Sequence, residues 1–236
     1  MGQHHLPGNP PIPLILRRSA QARRISLRVS SLDGRVTLTL PRRVPEREAL
    51  AFAAEKEGWL RHHLARQGAP VQVAPGILLP VEGVPREIVT TARRGVRLLP
   101  DRIEVSGHAP GPRLAAWLRE LARDRLSAAC DRHAAALGLP YARITLRDTR
   151  SRWGSCTQDG ALMFSWRLIL AAPDVLDYVA AHEVAHLAEM NHSPDFWAVV
   201  TRLYGDYGPP RAWLKREGNA LHRYRFDAPE PDEAAA

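Results

Sequence analysis

The sequence predicts an α+β protein, because strand-like alternation and helix-like periodicity occupy separate stretches of its 236 residues. Two short runs alternate apolar with polar residues around a turn-like segment at residues 31–34, and their apolar positions are Ile25, Leu27, Val29, Val36, Leu38 and Leu40. This pattern predicts a β-hairpin. By contrast, residues 110–137 have the periodicity of a long amphipathic helix, which Gly138 should end.

The remaining elements are predicted in chain order. Residues 1–13, with four prolines and two glycines, are expected to be a disordered leader. A helix is expected over residues 45–66, short strands over 70–105, two strands of one sheet over 144–149 and 161–170, and a disordered acidic tail over 227–236. We therefore expect a β-rich basic region with one helix (residues 14–105) and a second domain (residues 106–226).

Composition restricts the cellular setting. No apolar run reaches the roughly 18 residues of a membrane span, and the N-terminus lacks the apolar core of a signal peptide. The two cysteines, Cys130 and Cys156, provide no disulfide framework. We expect a cytoplasmic protein that does not interact with membranes.

The excess of positive charge is concentrated in the N-terminal part of the chain. Residues 1–105 contain 17 Lys/Arg and 9 Asp/Glu, whereas residues 106–236 contain 16 of each. This excess could dock nucleic acid or an acidic protein, or it could be a solvated strand face whose arginines discourage edge pairing. No aromatic residues are interleaved with the arginines, which favours the second interpretation over nucleic-acid binding.

The sequence His182-Glu183-Val184-Ala185-His186 has the form of a catalytic zinc motif. Two histidines four residues apart lie on one helix face, so both imidazoles can reach one metal ion. Glu183 is rotated about 100° from His182, which suits a base that contacts a zinc-coordinated water. Zinc lowers the pKa of such a water to about 7, and the carboxylate then takes its proton.

A helix starting at Pro173 should hold this motif in a largely buried position. Proline is tolerated at the first helical position, and Asp174 and Asp177 suit the helix dipole. An apolar stripe follows at helical spacing: Val175, Leu176, Val179, Ala180, Val184 and Leu187. Because unpartnered charges are costly to bury, a metal explains the motif better than two chance surface histidines.

The third ligand should be His192, which follows a predicted chain reversal. On an unbroken helix His192 would lie about 9 Å beyond His186 and off its face. Asn191 tolerates the left-handed conformation that ends helices, and Ser193-Pro194 suits the start of a new one. Glu189 and Glu217 are the competing candidates.

Residues 141 to about 222 resemble the YgjP-like metallopeptidase family, a relative of the SprT-like and WLM zinc proteases. The resemblance rests on Ser151-Arg-Trp-Gly-Ser-Cys156, Leu176-Asp-Tyr-Val179, the HExxH segment, Asn191-His192-Ser193 and Phe196-Trp197. It implies a minimal zincin-like catalytic domain, with a small sheet and an active-site helix, in which His182, His186 and His192 bind zinc and Glu183 is the base. Residues 14–64 are also similar to that family's leading region. The turn-making glycine of metzincins is replaced by Glu189, which disfavours that class.

Three further side-chain sets have two interpretations each. Trp153, Gly154 and Ser155 could bind substrate beside a strand edge, or Trp153 could cap the core. Tyr178, one turn before His182, could stabilise an oxyanion, although a core position suits it better. Cys156 could be a zinc ligand that keeps the enzyme latent, or a small buried apolar residue.

These observations predict a zinc metallopeptidase that hydrolyses peptide bonds of a protein or peptide substrate. One alternative is a DNA-associated protease of the SprT kind, recruited by the basic N-terminal half. The other is a non-catalytic binding module stabilised by zinc. Glu183 argues against the second, because a structural zinc site needs no base and normally has four protein ligands.

Overall fold

The computed structural model describes residues 3–30, 34–65, 69–107 and 109–227. Its helices and small sheets occupy separate stretches of the chain, so the predicted α+β class is confirmed. Contacts divide the chain into two compact units, Met1–Pro70 and Val71–Ala236. The sequence placed this boundary after residue 105, whereas the division falls after Pro70.

The first unit is a four-stranded sheet with two helices. Strands β1 (Gln3–Leu6), β2 (Ile12–Ser19), β3 (Ser26–Val29) and β4 (Val36–Pro41) pair in the order β1-β2-β4-β3. Strands β3 and β4 are antiparallel, which confirms the predicted hairpin, while residues 31–33 of its turn lie outside the described residues. Helices α1 (Glu46–Glu55) and α2 (Glu57–Ala65) replace the single predicted helix, with a break at Lys56.

The prediction of a disordered leader is wrong for residues 3–13. Strand β1 pairs antiparallel with β2, from Gln3 opposite Ile15 to Leu6 opposite Ile12. Leu6 and Ile12 are both buried in the core of this unit. The apolar surface that they bury, together with the β1–β2 hydrogen bonds, offsets the entropy of ordering a segment whose composition suggests disorder.

The second unit opens with strands and one long helix. Strands β6 (Leu78–Val81), β7 (Val84–Thr91), β8 (Val96–Leu98) and β9 (Arg102–Ser106) form a sheet in the order β6-β7-β9-β8, after the short β5 (Val71–Gln72). Helix α3 spans Pro110–Leu137 and ends at Gly138 with a φ of 77°, as predicted.

A three-stranded sheet lies beside the helix that carries the histidine motif. Strands β10 (Arg143–Arg147), β11 (Gly154–Cys156) and β12 (Ala161–Ser165) pair in the order β10-β12-β11, so β11 is an edge strand. The predicted strand over 161–170 is wrong after Ser165, because Trp166–Leu170 form a buried 3₁₀ helix. A short apolar run cannot distinguish a buried strand from a buried helical turn.

Three helices complete the second unit: α4 (Pro173–Ala185), α5 (Pro194–Tyr204) and α6 (Gly208–Glu217). A 3₁₀ helix, Gly218–Arg223, then leads to β13 (Tyr224–Arg225), which pairs with β5. Helix α4 packs between α3 and α5 and also contacts β11. Among the described residues, no helix has the length and apolar character needed to cross a bilayer.

Candidate metal centre

Helix α4 places the histidine motif at its C-terminal end. It begins at Pro173, as predicted, and its apolar stripe is buried against the core of the second unit. His182 and Glu183 lie in the last turn, and His186 is the residue at which the helix ends. The two imidazoles therefore face the chain reversal that follows rather than the middle of a continuing helix.

Side-chain hydrogen bonds shape the chain reversal after α4. The Ser193 backbone N–H donates to Asn191 Oδ1 at 2.9 Å, and the Phe196 N–H donates to Ser193 Oγ at 3.3 Å, which caps α5. Asn191 is not among the described residues with positive φ, so the expected left-handed conformation is wrong. Its side chain makes a turn instead.

The reversal brings His192 back to the other two histidines. One ring nitrogen from each of His182, His186 and His192 lies within 4.8 Å of the others. The Nε2 atoms of His182 and His192 are 3.1 Å apart. The competing side chains, Glu189 and Glu217, are not part of this cluster. Three imidazole nitrogens at such separations form a donor set typical of zinc.

Two aromatic side chains hold the imidazoles, and neither was predicted as a site residue. Phe196 is fully buried and stacks on His186 at a centroid distance of 4.4 Å, with the rings of His182 and His192 at 4.9 and 4.7 Å. Trp197 packs against His182 and His192. The sequence feature that could have indicated this role is their position in the first turn of α5, directly after His192.

Two of the three imidazoles, those of His182 and His186, are held in the neutral form that metal binding requires. The Nδ1–H of His186 donates to the Glu189 carbonyl at 2.9 Å, which leaves Nε2 as a free electron-pair donor. The pKa of His182 is lowered to about 3, chiefly by burial and in addition by the adjacent His186 and His192. Burial also lowers the pKa of His186.

The carboxylate of Glu183 is buried beside the cluster, with only 5% of its surface exposed. Burial raises the pKa of Glu183 to about 8, opposed by the charge of Arg152. A Cβ atom at Gly154 would lie 2.5 Å from Glu183 Oε1, so only glycine leaves room for this carboxylate. The absence of a side chain at Gly154 therefore provides the space that the Glu183 carboxylate occupies.

A cleft of about 480 Å³ lies between the C-terminal end of α4 and the edge strand β11. Its lining comprises Glu183, the three histidines, Met190, and five residues of the 151–156 stretch: Ser151, Arg152, Gly154, Ser155 and Cys156. Gly154 and Ser155 thus lie at the cleft, as the substrate-binding hypothesis requires. Arg152, which the sequence did not single out, adds the only basic side chain other than histidine to this lining.

Trp153 and Tyr178 do not line the cleft. Trp153 stacks on His222 at 5.1 Å and packs against Gly218, which corresponds to the core-capping interpretation. Tyr178 is buried against Tyr204 and Tyr207, with its ring edge-on to His182. Burial raises the pKa of Tyr178 to about 12.

Cys156 lines the cleft but does not belong to the cluster of ligand atoms. Burial raises the pKa of its thiol to about 11, and the charges of Glu183 and Asp159 act in the same direction. The thiol donates to the Thr157 carbonyl at 3.4 Å. Because the sulfur lies outside the cluster of ligand atoms, this geometry does not support the latency hypothesis.

Three histidines that converge on one point, beside a buried carboxylate and an open cleft, define a candidate metal-dependent hydrolase site. The family model described as YgjP-like, metallopeptidase domain, matches residues 23–217, and the chain belongs to this family. A search of curated proteins and a search of solved structures each found no match.

Proposed function

We propose that this protein is a zinc-dependent metallopeptidase in which Glu183 is the general base. The observation that carries the proposal is the convergence of His182, His186 and His192 within 4.8 Å beside the Glu183 carboxylate. Membership of a metallopeptidase family supports the reaction class.

The donor set fits zinc. Three histidine ligands would leave one position of a tetrahedral site open, which is the arrangement of catalytic rather than structural zinc centres. When bound, zinc supplies Lewis acidity that acidifies a water and polarises a carbonyl. The hydrogen bond from His186 to the Glu189 carbonyl fixes the ring orientation that this requires.

Glu183 is placed to move a proton. Its carboxylate lines the cleft, and Gly154 leaves the space that the carboxylate occupies. Burial raises its proton affinity, so the ionised group can take a proton from the attacking water and, once protonated, pass it to the leaving amine. Arg152 opposes this shift with its positive charge and so helps to keep the base ionised at the start of the cycle.

The edge strand β11 supplies a binding site for an extended peptide. It pairs with β12 along one side only, and its residues Gly154, Ser155 and Cys156 line the cleft. A substrate segment added to the other side would gain main-chain hydrogen bonds and pass beside Glu183. In this proposal Gly154 and Ser155 contribute through their backbone, whereas Trp153 supports the strand from behind through His222.

The test is the pair Glu183→Gln and Glu189→Gln, assayed on an unstructured protein substrate. Glu183→Gln should retain one zinc per chain yet lose about 10³-fold or more in kcat/KM, because an amide cannot accept the proton. Glu189→Gln keeps the backbone carbonyl that His186 uses, so it should retain activity. Near wild-type turnover by Glu183→Gln would refute the mechanism.

A further inference from the structure

Charge is separated between the two layers of the first unit. Residues 12–45, which include β2, β3 and β4, contain eight arginines and one acidic residue, Asp33. Residues 46–65, which form α1 and α2, contain four glutamates and three basic residues. The positive charge of the N-terminal half is therefore concentrated in the segment that forms strands β2, β3 and β4 and their connecting loops.

The sheet has one covered face and one open face. The buried residues of β2 and β4 are Ile12, Leu14, Leu16, Val36, Leu38 and Leu40, and they belong to the same core cluster as Ala49, Ala53 and Leu60 of the two helices. The alternate residues point the other way. Arg17 of β2 pairs with Thr39, which pairs with Ser26 of β3. In the next row, Ile15 pairs with Thr37, and Thr37 with Arg28.

We define the basic face as Arg17, Arg28, Thr37, Thr39 and Ser26. Arg17 and Arg28 are exposed, and within the described part of the chain neither makes an ion pair or a side-chain hydrogen bond. Arg18, on the same strand as Arg17, differs because it donates to two backbone carbonyls and pairs with Glu46. The loop after β2 adds the exposed Arg23 and Arg24.

Protection of strand edges does not explain this face. The sheet order is β1-β2-β4-β3, so β2 and β4 are internal strands that have no free edge. Arg28 lies on the edge strand β3 and could serve that purpose. Arg17 lies on an internal strand and cannot protect an edge. Between the two arginines, Thr37 and Thr39 add hydroxyl groups to the face.

We propose that the basic face binds the phosphate backbone of duplex nucleic acid without reading its sequence. Guanidinium and hydroxyl groups are the donors that proteins direct at phosphate oxygens. The strand positions that make up the face carry no aromatic side chain, so the face lacks the stacking platform that single strands require. This inference is independent of the proposed peptidase activity.

The test measures binding of the full chain to a labelled duplex of about 20 base pairs by fluorescence anisotropy, as salt rises from about 50 to 200 mM. The double variant Arg17→Ser/Arg28→Ser should bind about 10-fold more weakly, and its log–log salt slope should be shallower by about 2. Arg17→Lys/Arg28→Lys keeps both charges and should restore the slope.

The matched control is Arg47→Ser/Lys56→Ser, which removes the same charge from exposed positions on the helical layer. It should bind the duplex as the wild type does. An equal loss in both double variants would show that only net charge matters and would overturn the proposal. If a polyglutamate peptide bound as tightly as the duplex or more tightly, the face would be assigned to an acidic protein partner. If the duplex did not bind at low salt, the proposal would likewise be refuted.

Discussion

Two clusters of buried polar side chains in the second unit differ in how completely they are satisfied. The Arg167 guanidinium, 7% exposed, donates to both Asp148 oxygens at 2.6 and 3.0 Å and to the carbonyls of Leu221 and Tyr224. Glu183 is similarly buried, but its carboxylate lines the cleft and accepts no hydrogen bond from the described residues, and His182 Nδ1 is buried without a partner.

This difference distinguishes buried polar groups that stabilise the fold from those that serve the chemistry of the site. A satisfied buried charge contributes to the fold by tying segments together, and Arg167 ties the 3₁₀ helix that follows β12 to the 3₁₀ helix before β13 and to β13 itself. An unsatisfied one costs free energy and is retained where chemistry requires it. Substitutions in the Arg167 cluster should therefore change stability, whereas those in the cleft should change metal binding and catalysis.

The largest effect is expected for His192→Ala. Zinc sites that form on folding are worth about 10–16 kcal/mol over four ligands, so losing one should weaken zinc binding by roughly 10²–10³-fold. Competition with a chromogenic chelator measures this. Glu189→Ala and Glu217→Ala should bind zinc like the wild type, because their side chains lie outside the cluster. Unchanged affinity in His192→Ala would refute the three-histidine site.

The next effect is a pH dependence of stability that arises at His222. Burial lowers the pKa of His222 from 6.5 to about 4, with Arg167 acting in the same direction and Asp148 opposing it. Between these values the unfolded chain binds a proton that the folded chain excludes. Stability is therefore complete above pH 6.5 and should fall by up to about 3 kcal/mol as the pH drops towards 4.

Denaturant unfolding of the wild type and of His222→Gln, at steps between pH 7 and 4, checks this expectation. The difference between the two proteins should change with pH over that window, and a constant difference would contradict it.

A smaller effect is expected for Asp148→Asn. Burial raises the pKa of Asp148, but the hydrogen bonds and charge of Arg167 outweigh it, and the net shift is downward. The substitution leaves the Arg167 charge without its counter-ion, which should lower the free energy of unfolding by roughly 2 kcal/mol, since the side chain of Asp148 is 40% exposed. Zinc affinity should not change, and a parallel loss of zinc binding would remove the distinction between the two clusters.

Local sequence signals were sufficient to predict much of the structure of the second unit. The bounds of α3, the start of α4 at Pro173 and the restart at Pro194 follow from proline, glycine and Ser193, which act within one turn of the chain. The convergence of His192 on His182 followed from the same local reasoning, although the side chain of Asn191, rather than a left-handed backbone, shapes the turn.

Features that depend on distant partners were not predictable in the same way. The strand in residues 3–6 exists because β2 provides a partner and a core, which composition does not reveal. The change from strand to 3₁₀ helix at Trp166 occurs inside one apolar run. The contact of Gly154 with Glu183 joins residues 29 positions apart, and only the packing of β11 against α4 brings them together.

The most direct test of the contrast between the two clusters is the free energy of unfolding of metal-free Glu183→Gln. If the Glu183 carboxylate has no structural partner in the protein and is retained for catalysis, the neutral amide should leave the metal-free protein as stable as the wild type or more stable by about 1–3 kcal/mol. A loss of stability equal to that of Asp148→Asn would show instead that Glu183 is a structural residue.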